Sequence, residues 1–231
     1  VSYDPLVGSP ALNVLGQSVP GSTGGTGASS GSVASRGTIS GIALGGLLTN
    51  SSNNNFTQRP PGSISGRVFL DADNNGAFDP PTGGADAGLS GVQLVLTGID
   101  HGFDGQLGGG DDVTIAGATV TATTAADGSY TFANLRAGSY TVTEPTQPAN
   151  TANGITTAGP VNGAPAGTPG TATAVGTTPS AISTIGLAPG ANSPDNLFAE
   201  VALVSISGTV FVDANRNDVL DGSDAGRIPG T

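Results

Sequence analysis

Two acidic stretches define the chemistry open to this chain. The first, DADNNGAFD, places Asp71, Asp73, Asn75 and Asp79 at positions 1, 3, 5 and 9 of a loop. Gly76 sits at position 6, and Ala77 offers its backbone carbonyl at position 7. The second, DANRNDVLDGSD, repeats the pattern with Asp213, Asn215, Asn217, Asp221 and Asp224 at positions 1, 3, 5, 9 and 12, and Val219 at position 7. Calcium takes six to eight hard oxygens, and a loop with oxygens at alternate positions wraps one such ion. Position 12 of the first loop is Thr82, a poor substitute for a bidentate carboxylate. The insertion PPTGGA lengthens that loop, so Asp86 is expected to supply its last carboxylate, because both loops then end in Asp-Ala-Gly. The second loop has Asp218 at position 6. Aspartate tolerates a left-handed backbone better than most residues, so the loop is expected to survive and to bind less tightly. The competing reading is a pair of solvated Asp/Asn turns; recurrence in the same context favours calcium.

A third cluster, GIDHGFDGQLGGGDDV, crowds Asp100, Asp104, Asp111 and Asp112 into a glycine-rich stretch. Like charges so close repel unless exposed or bridged by a cation. A further calcium ion and a mobile, solvated hairpin tip both fit this stretch. His101, the only histidine, is expected to be exposed.

The elements that hold these loops read as strands. ISGRVFL puts Ile64, Val68 and Leu70 on one face, and GVQLVL groups Val92, Leu94 and Leu96. TVTAT, SYTF and SYTVTE alternate likewise. Period two with Thr, Val, Tyr and Phe is the pattern of half-buried strands. No long segment has the 3.6-residue period of a helix. Tyr130, Phe132, Leu135, Tyr140 and Val142 are expected in the core, and Asp127-Gly128 reads as a tight hairpin turn. Arg59, Arg67 and Arg136 are expected to pair with carboxylates at the surface, where such pairs contribute little.

The chain repeats itself out of phase. SISGTVFVDANRND at Ser205 echoes SISGRVFLDADNNG at Ser63, an offset of 205 − 63 = 142, and Phe198 lies 142 residues after Phe56. TISGIAL from Thr38 resembles AISTIGL from Ala181 with a one-residue slip. Three pieces result: 1–62 as the C-terminal part of a preceding unit with a Gly/Ser-rich stretch, 63–204 as a complete unit, and 205–231 as the first strand and calcium loop of the next. GSTGGTGASSGSVAS, alone, reads as a flexible linker. A 27-residue fragment cannot bury a core alone. The expected arrangement is an excerpt of a longer tandem array, with head-to-tail strand exchange between chains as the rival. Joining 205–231 to 1–62 still lacks the equivalents of about 90–142.

Residues 63–148 resemble the SdrD B-like, calcium-binding B-type repeats of bacterial surface proteins, relatives of collagen-adhesin B-type and transthyretin-like domains. SGRVFLDADNNGAFD, DAGLSGVQLVL, TTAADGSYTFANLRAGSYTVTE and SGTVFVDANRND carry the resemblance. It implies an all-β fold of Greek-key β-sandwich units, immunoglobulin-like or transthyretin-like, in tandem. It also implies an extracellular, cell-surface stalk or fibre with Ca2+ as the bound ion. Relatives with lysine form an internal Lys–Asn isopeptide bond. This chain has no lysine, so Glu144, which stands where relatives often carry a catalytic glutamate, has no such use here.

Composition narrows the remaining classes. Net charge is −11, which repels phosphate backbones and argues against nucleic acid. No apolar run is long enough to span a membrane. Cysteine is absent, so thiol catalysis and thiolate metal sites are excluded, and stability is expected from metal rather than disulfides. One histidine and no GxSxG elbow leave no expected catalytic residues. Val1 in place of a methionine reads as a processed product or an excerpt. The functional reading is a structural component of an extracellular fibre, stalk or sheath, self-associating or stacked on neighbouring repeats. The alternatives are an adhesin module with a host or matrix ligand, and an accessory domain of a secreted enzyme.

Overall fold

The computed structural model describes residues 2–3, 14–20, 22, 26–29, 37–44, 50–79, 86–108, 110–165, 168–169, 180–222 and 224–227. The described residues contain strands and no helix. Upstream lie β1 (Ser2–Tyr3), β2 (Val14–Val19), β3 (Thr26–Ser29), β4 (Gly37–Ser40) and β5 (Asn55–Arg59). A longer series follows: β6 (Gly62–Leu70), β7 (Ala87–Gly88), β8 (Gln93–Asp100), β9 (Val113–Thr123), β10 (Ser129–Leu135), β11 (Gly138–Glu144) and β12 (Thr151–Thr157). After short β13 (Pro160–Val161), β14 (Ala164–Pro165) and β15 (Thr168–Pro169) come β16 (Ser180–Leu187) and β17 (Asn192–Ala202). The downstream pair is β18 (Phe211–Val212) and β19 (Ala225–Arg227).

Strands β6 to β17 build a two-sheet sandwich. One sheet runs β10-β6-β17-β12 with β7 on β6; the other runs β15-β16-β11-β8-β9. Alternation puts one face of each strand inside. Ile64, Val68, Tyr130, Phe132 and Phe198 from the first sheet meet Leu94, Leu96, Tyr140, Val142, Ile182, Ile185 and Leu187 from the second in one cluster. The expected core aromatics are buried, as are Val92, Leu94 and Leu96. Leu70 differs from expectation: it is half-buried, while its neighbour Phe69 is fully buried. Phe69 packs edge-on against Phe78 of the acidic loop, with centroids 5.3 Å apart. The loop therefore covers the outer face of β6 and reverses the simple inside–outside alternation there.

Two further expectations change. Asp127-Gly128 closes a turn, with Gly128 N donating to Ala125 O, but it does not close a hairpin. Strand β9 pairs with β8 and β10 pairs with β6, so the turn carries the chain from one sheet to the other. Gly128 is required by close approach: a Cβ there would lie 2.2 Å from Val68 O. The Gly/Ser-rich stretch falls mostly outside the described residues, yet Thr26–Ser29 within it pairs with β4 as a strand.

The first and last long strands of the sandwich, β6 and β17, run parallel, with Ser63 opposite Asn192 and Gly66 opposite Asn196. A bulge between Ser193 and Asn196 bends β17, and Asp195 takes φ +57 there. Asn196 is fully buried and stitches four segments. Its Nδ2 donates to Ser65 O (3.1 Å) and Ser193 O (2.9 Å), its Oδ1 accepts from Gly159 N (3.0 Å), and its carbonyl accepts from Tyr130 OH (3.0 Å). An Asn196→Ala variant leaves buried donors and acceptors without partners, so about 2–3 kcal/mol of stability is expected to go. Urea unfolding reads this directly, and an unchanged midpoint would remove Asn196 from the account.

The upstream strands copy the end of the sandwich. Leu15 faces Gln58 and Ser18 faces Phe56, with a register shift between; Asn153 faces Glu200 and Thr156 faces Phe198, with the same shift. Thr26 faces Ser40 as Thr168 faces Ser183. Left-handed backbone recurs as well: Gly41 (φ 65) matches Thr184 (φ 57), and Asn53 (φ 63) matches Asp195 (φ 57). No described helix is long and apolar enough to cross a membrane.

Candidate functional site

The first acidic loop connects β6 to β7, and the second connects β18 to β19. Short side chains that accept hydrogen bonds from backbone N–H groups a few residues ahead curl such loops inward. In the first loop Asp71 accepts from Asn75 N (3.2 Å) and Gly76 N (2.8 Å), and Asp73 accepts from Asn75 N (3.2 Å). Asn75 Oδ1 accepts from Ala77 N (2.7 Å). Asp86 closes the loop by accepting from Ala72 N (2.9 Å) and Asp79 N (3.1 Å).

The second loop repeats this set one for one. Asp213 accepts from Asn217 N (3.2 Å) and Asp218 N (2.8 Å), Asn215 from Asn217 N (3.1 Å), and Asn217 from Val219 N (2.9 Å). Asp224 accepts from Ala214 N (3.1 Å) and Asp221 N (2.8 Å). Thus Asp86 takes in the first loop the place Asp224 takes in the second, although four extra residues intervene. Thr82 and the rest of the insertion, 80–85, lie outside the described residues. The backbone agrees: Asn74 and Gly76 have φ 58 and 76, and Arg216 and Asp218 have φ 60 and 61. Aspartate thus adopts at position 6 the left-handed conformation that glycine adopts in the other loop.

One oxygen each from Asp71, Asp73 and Asp86 lies within 4.8 Å of the others. Oxygens bound to one calcium at 2.3–2.6 Å lie up to roughly 5 Å apart, so this spacing fits a single ion. Asp71 and Asp86 are buried and Asp73 is exposed. Asp79 adds an enclosed Oδ1 with no donor. Its carboxyl is raised above the usual range, chiefly by its hydrogen bond with the Asp86 carboxyl. Asp86 is held below that range, chiefly by the Ala72 N–H. The second loop carries an amide at position 3 and is more exposed. Asp213 is held low chiefly by the Asp218 N–H.

Asp100, Asp104, Asp111 and Asp112 are engaged separately. Asp100 pairs with Arg136 at 3.3 Å, Asp104 accepts from Gln106 N (2.8 Å), Asp111 from Phe103 N (2.6 Å), and Asp112 from Gly108 N (2.7 Å). One further oxygen of each of Asp111 and Asp112 is enclosed without a partner. His101 is half-buried, with Nε2 enclosed, rather than exposed. Its backbone N–H bonds to Ala137 O (2.9 Å). Arg136 is also buried, with its guanidinium 4.4 Å from the Phe103 ring centroid. Arg67 does make an exposed pair, with Asp127 at 3.1 Å, while Arg59 donates to the carbonyls of Phe103 and Asp104 instead of a carboxylate.

The second polar centre was half visible in the sequence. Glu144 and Glu200 are the only glutamates in the chain, and both are buried in the sandwich. Burial, reinforced by the Glu200 charge, pushes the Glu144 carboxyl up to about 9. Glu200 is raised as well, first by burial. It accepts from the Gln147 amide and from Thr151 Oγ1 (3.2 Å). Such a pair is stable only while it holds a proton. The signal for Glu200 was a lone carboxylate inside the apolar run LFAEVAL. Nothing in that run points to its partner.

A family model described as SpaA, prealbumin-like fold domain, matches residues 82–156. That stretch runs through β7 to β12, about a third of the chain. No curated protein matches the chain. The matched domain type is typical of bacterial surface pilin and adhesin proteins, and the two-sheet sandwich is the fold it names.

Proposed function

We propose that this chain is a structural segment of an extracellular bacterial fibre, stalk or sheath, built from SdrD B-like sandwich units in tandem and stiffened by calcium in the two acidic loops. The carrying observation is the recurrence of one hydrogen-bond set in both loops, each beside a short antiparallel strand pair. Turns that merely connect strands need not conserve six bonds across a change in loop length. Residues 1–62, 63–204 and 205–231 are then parts of three successive units. The ligands are Asp71, Asp73, Asn75, the Ala77 carbonyl, Asp79 and Asp86 in one loop, and Asp213, Asn215, Asn217, the Val219 carbonyl, Asp221 and Asp224 in the other. The role read here is mechanical, and the two glutamates, buried in the sandwich, belong to its interior.

Calcium at a hundredfold excess over its dissociation constant stabilises a folded protein by about 2.7 kcal/mol per site. Calorimetry in calcium and in chelator is expected to show a clear rise in Tm with the ion. Asp73→Ala, an exposed member of the three-carboxylate group, is expected to lose most of that rise while melting near the parent temperature in chelator. Identical melting of the parent with and without calcium would remove the ion from this reading.

A further inference from the structure

The connection from β11 to β12 brings a hydroxyl, a carboxamide and a buried carboxylate into mutual contact. β11 and β12 belong to different sheets, so residues 145–150 cross from one side of the sandwich to the other. Gln147 lies within this crossing, and Thr151 opens β12. The chain turns back between them: Thr151 N and Thr151 Oγ1 both donate to Pro148 O, at 3.3 and 2.9 Å. The turn sets Thr151 Oγ1 2.7 Å from Gln147 Nε2. One C–N bond of about 1.3 Å separates that nitrogen from the amide carbon, so the hydroxyl oxygen stands within about 4 Å of the carbon.

Glu200 touches both partners. Its Oε2 accepts from the Gln147 amide and lies 3.2 Å from Thr151 Oγ1. Thr151 is 8% exposed and Glu200 is 0% exposed. Glu144, the other carboxyl of the pair, keeps its proton up to about pH 9, which leaves Glu200 as the carboxylate. Burial raises Glu200 as well, and a carboxylate raised in this way takes a proton more readily than an exposed one. A hydroxyl held beside a base and an acyl carbon is the arrangement of acyl transfer.

We propose that Thr151 and Gln147 join in an intramolecular ester, formed by the folded chain itself. Glu200 takes the hydroxyl proton as Thr151 Oγ1 bonds to Gln147 Cδ. The same carboxylate hands that proton to Nε2 as the Cδ–Nε2 bond breaks, and ammonia leaves. Nothing is oxidised or reduced, and no co-reactant is consumed. Holding the two groups four residues apart in one turn makes the step unimolecular. Gln147 also lines a cavity of about 390 Å³ with Gln93 and Thr146, which gives ammonia a way out. Escape of ammonia draws the exchange forward, and burial of Thr151 keeps water from the ester. The bond fixes the crossing between the sheets covalently, in a chain with neither cysteine nor lysine. It depends on neither calcium nor the tandem reading.

Mass spectrometry of the folded full chain tests the bond. The chain is expected to be lighter than its sequence by one ammonia. Trypsin cuts after arginine, so the loss should map to residues 137–216, and fragmentation should place it between Gln147 and Thr151. Hydroxylamine should open the ester and leave a hydroxamate at Gln147. Thr151→Val should restore the full mass, and Thr151→Ser, which keeps a hydroxyl, should retain the loss. Glu200→Gln should slow the loss by roughly a hundredfold or more. Circular dichroism checks that each variant folds; if Thr151→Val does not, fragmentation of the parent and of Thr151→Ser decides. A parent chain at full mass overturns the proposal. So does a loss that persists in folded Thr151→Val, or one that maps to Asn153-Gly154 or Asn162-Gly163, where ring closure onto the backbone also releases ammonia. A parent at full mass whose Tm still rises with calcium would sink the ester alone and leave the stalk reading standing.

Discussion

Gly66→Ala is expected to cost this protein on the order of 3 kcal/mol or more. The added Cβ would lie 1.8 Å from Asn196 O, 2.6 Å from its carbonyl carbon and 2.9 Å from its N. All three are backbone atoms at a bulge that is itself held by the Asn196 side chain, so no rotamer change relieves the overlap. Either β6 and β17 separate or the bulge is lost, and both routes break parallel pairing at the centre of the sheet. A domain of this size has about 5–15 kcal/mol in total, so a large part of it goes. Gly208→Ala is the matched control, because the same sequence position in the downstream repeat has open space around it. Guanidinium unfolding of both variants compares them. Equal midpoints would mean that β6 and β17 do not approach as closely as described.

The second large effect concerns pH. The folded Glu144 carboxyl holds its proton up to about pH 9, against 4.5 in an ordinary setting, because burial and the Glu200 charge penalise ionisation. Glu200 is shifted the same way. The folded state therefore binds more protons than the unfolded chain between about pH 4.5 and 9. Stability is full below that window and is lost as pH rises through it, with a slope of about 1.4 kcal/mol per pH unit for one proton. By pH 8 the loss is on the order of 5 kcal/mol. Glu144→Gln is expected to flatten the profile and to exceed the parent in stability at pH 8, since an amide can donate to the Glu200 carboxylate without a shared proton. The measurement is urea unfolding at pH 5, 6, 7 and 8 in chelator, so that metal release from the acidic loops does not contribute. A parent profile that is flat or rises with pH would overturn the shared proton. Calcium adds an opposite trend, because its carboxylate ligands must be ionised to bind.

Much of the local structure was legible in the residues themselves. Strands carry a two-residue period, and each strand of GVQLVL, SYTF and SYTVTE type lies where its alternation put it, with Leu94, Leu96, Tyr130, Phe132, Tyr140 and Val142 inside. The acidic loops were legible for a related reason: an Asx side chain bonds to backbone N–H groups only a few residues away, so spacing alone dictates the curl. The repeat was legible because each loop brings its own bonds with it. What local spacing cannot encode is which strand lies beside which. The Asp127-Gly128 turn has hairpin chemistry, yet β9 and β10 leave it for different sheets, because Tyr130 and Phe132 pack against residues more than sixty positions away. Arg136 and His101 were read as surface residues because their sequence surroundings are polar and glycine-rich. Tertiary packing folds Phe103 back under Arg136 and buries the guanidinium. The same holds for Asn196 and Glu200: Asn196 follows the polar run NSPD, Glu200 is a lone carboxylate in an apolar run, and their roles depend on Ser65, Gly159 and Tyr130, or on Glu144 and Gln147. Their juxtaposition arises only when two sheets close on one another. Local hydrogen bonding and side-chain alternation are set by the chain over a few residues, whereas the fate of a buried polar group depends on partners that the closed sandwich alone brings within reach.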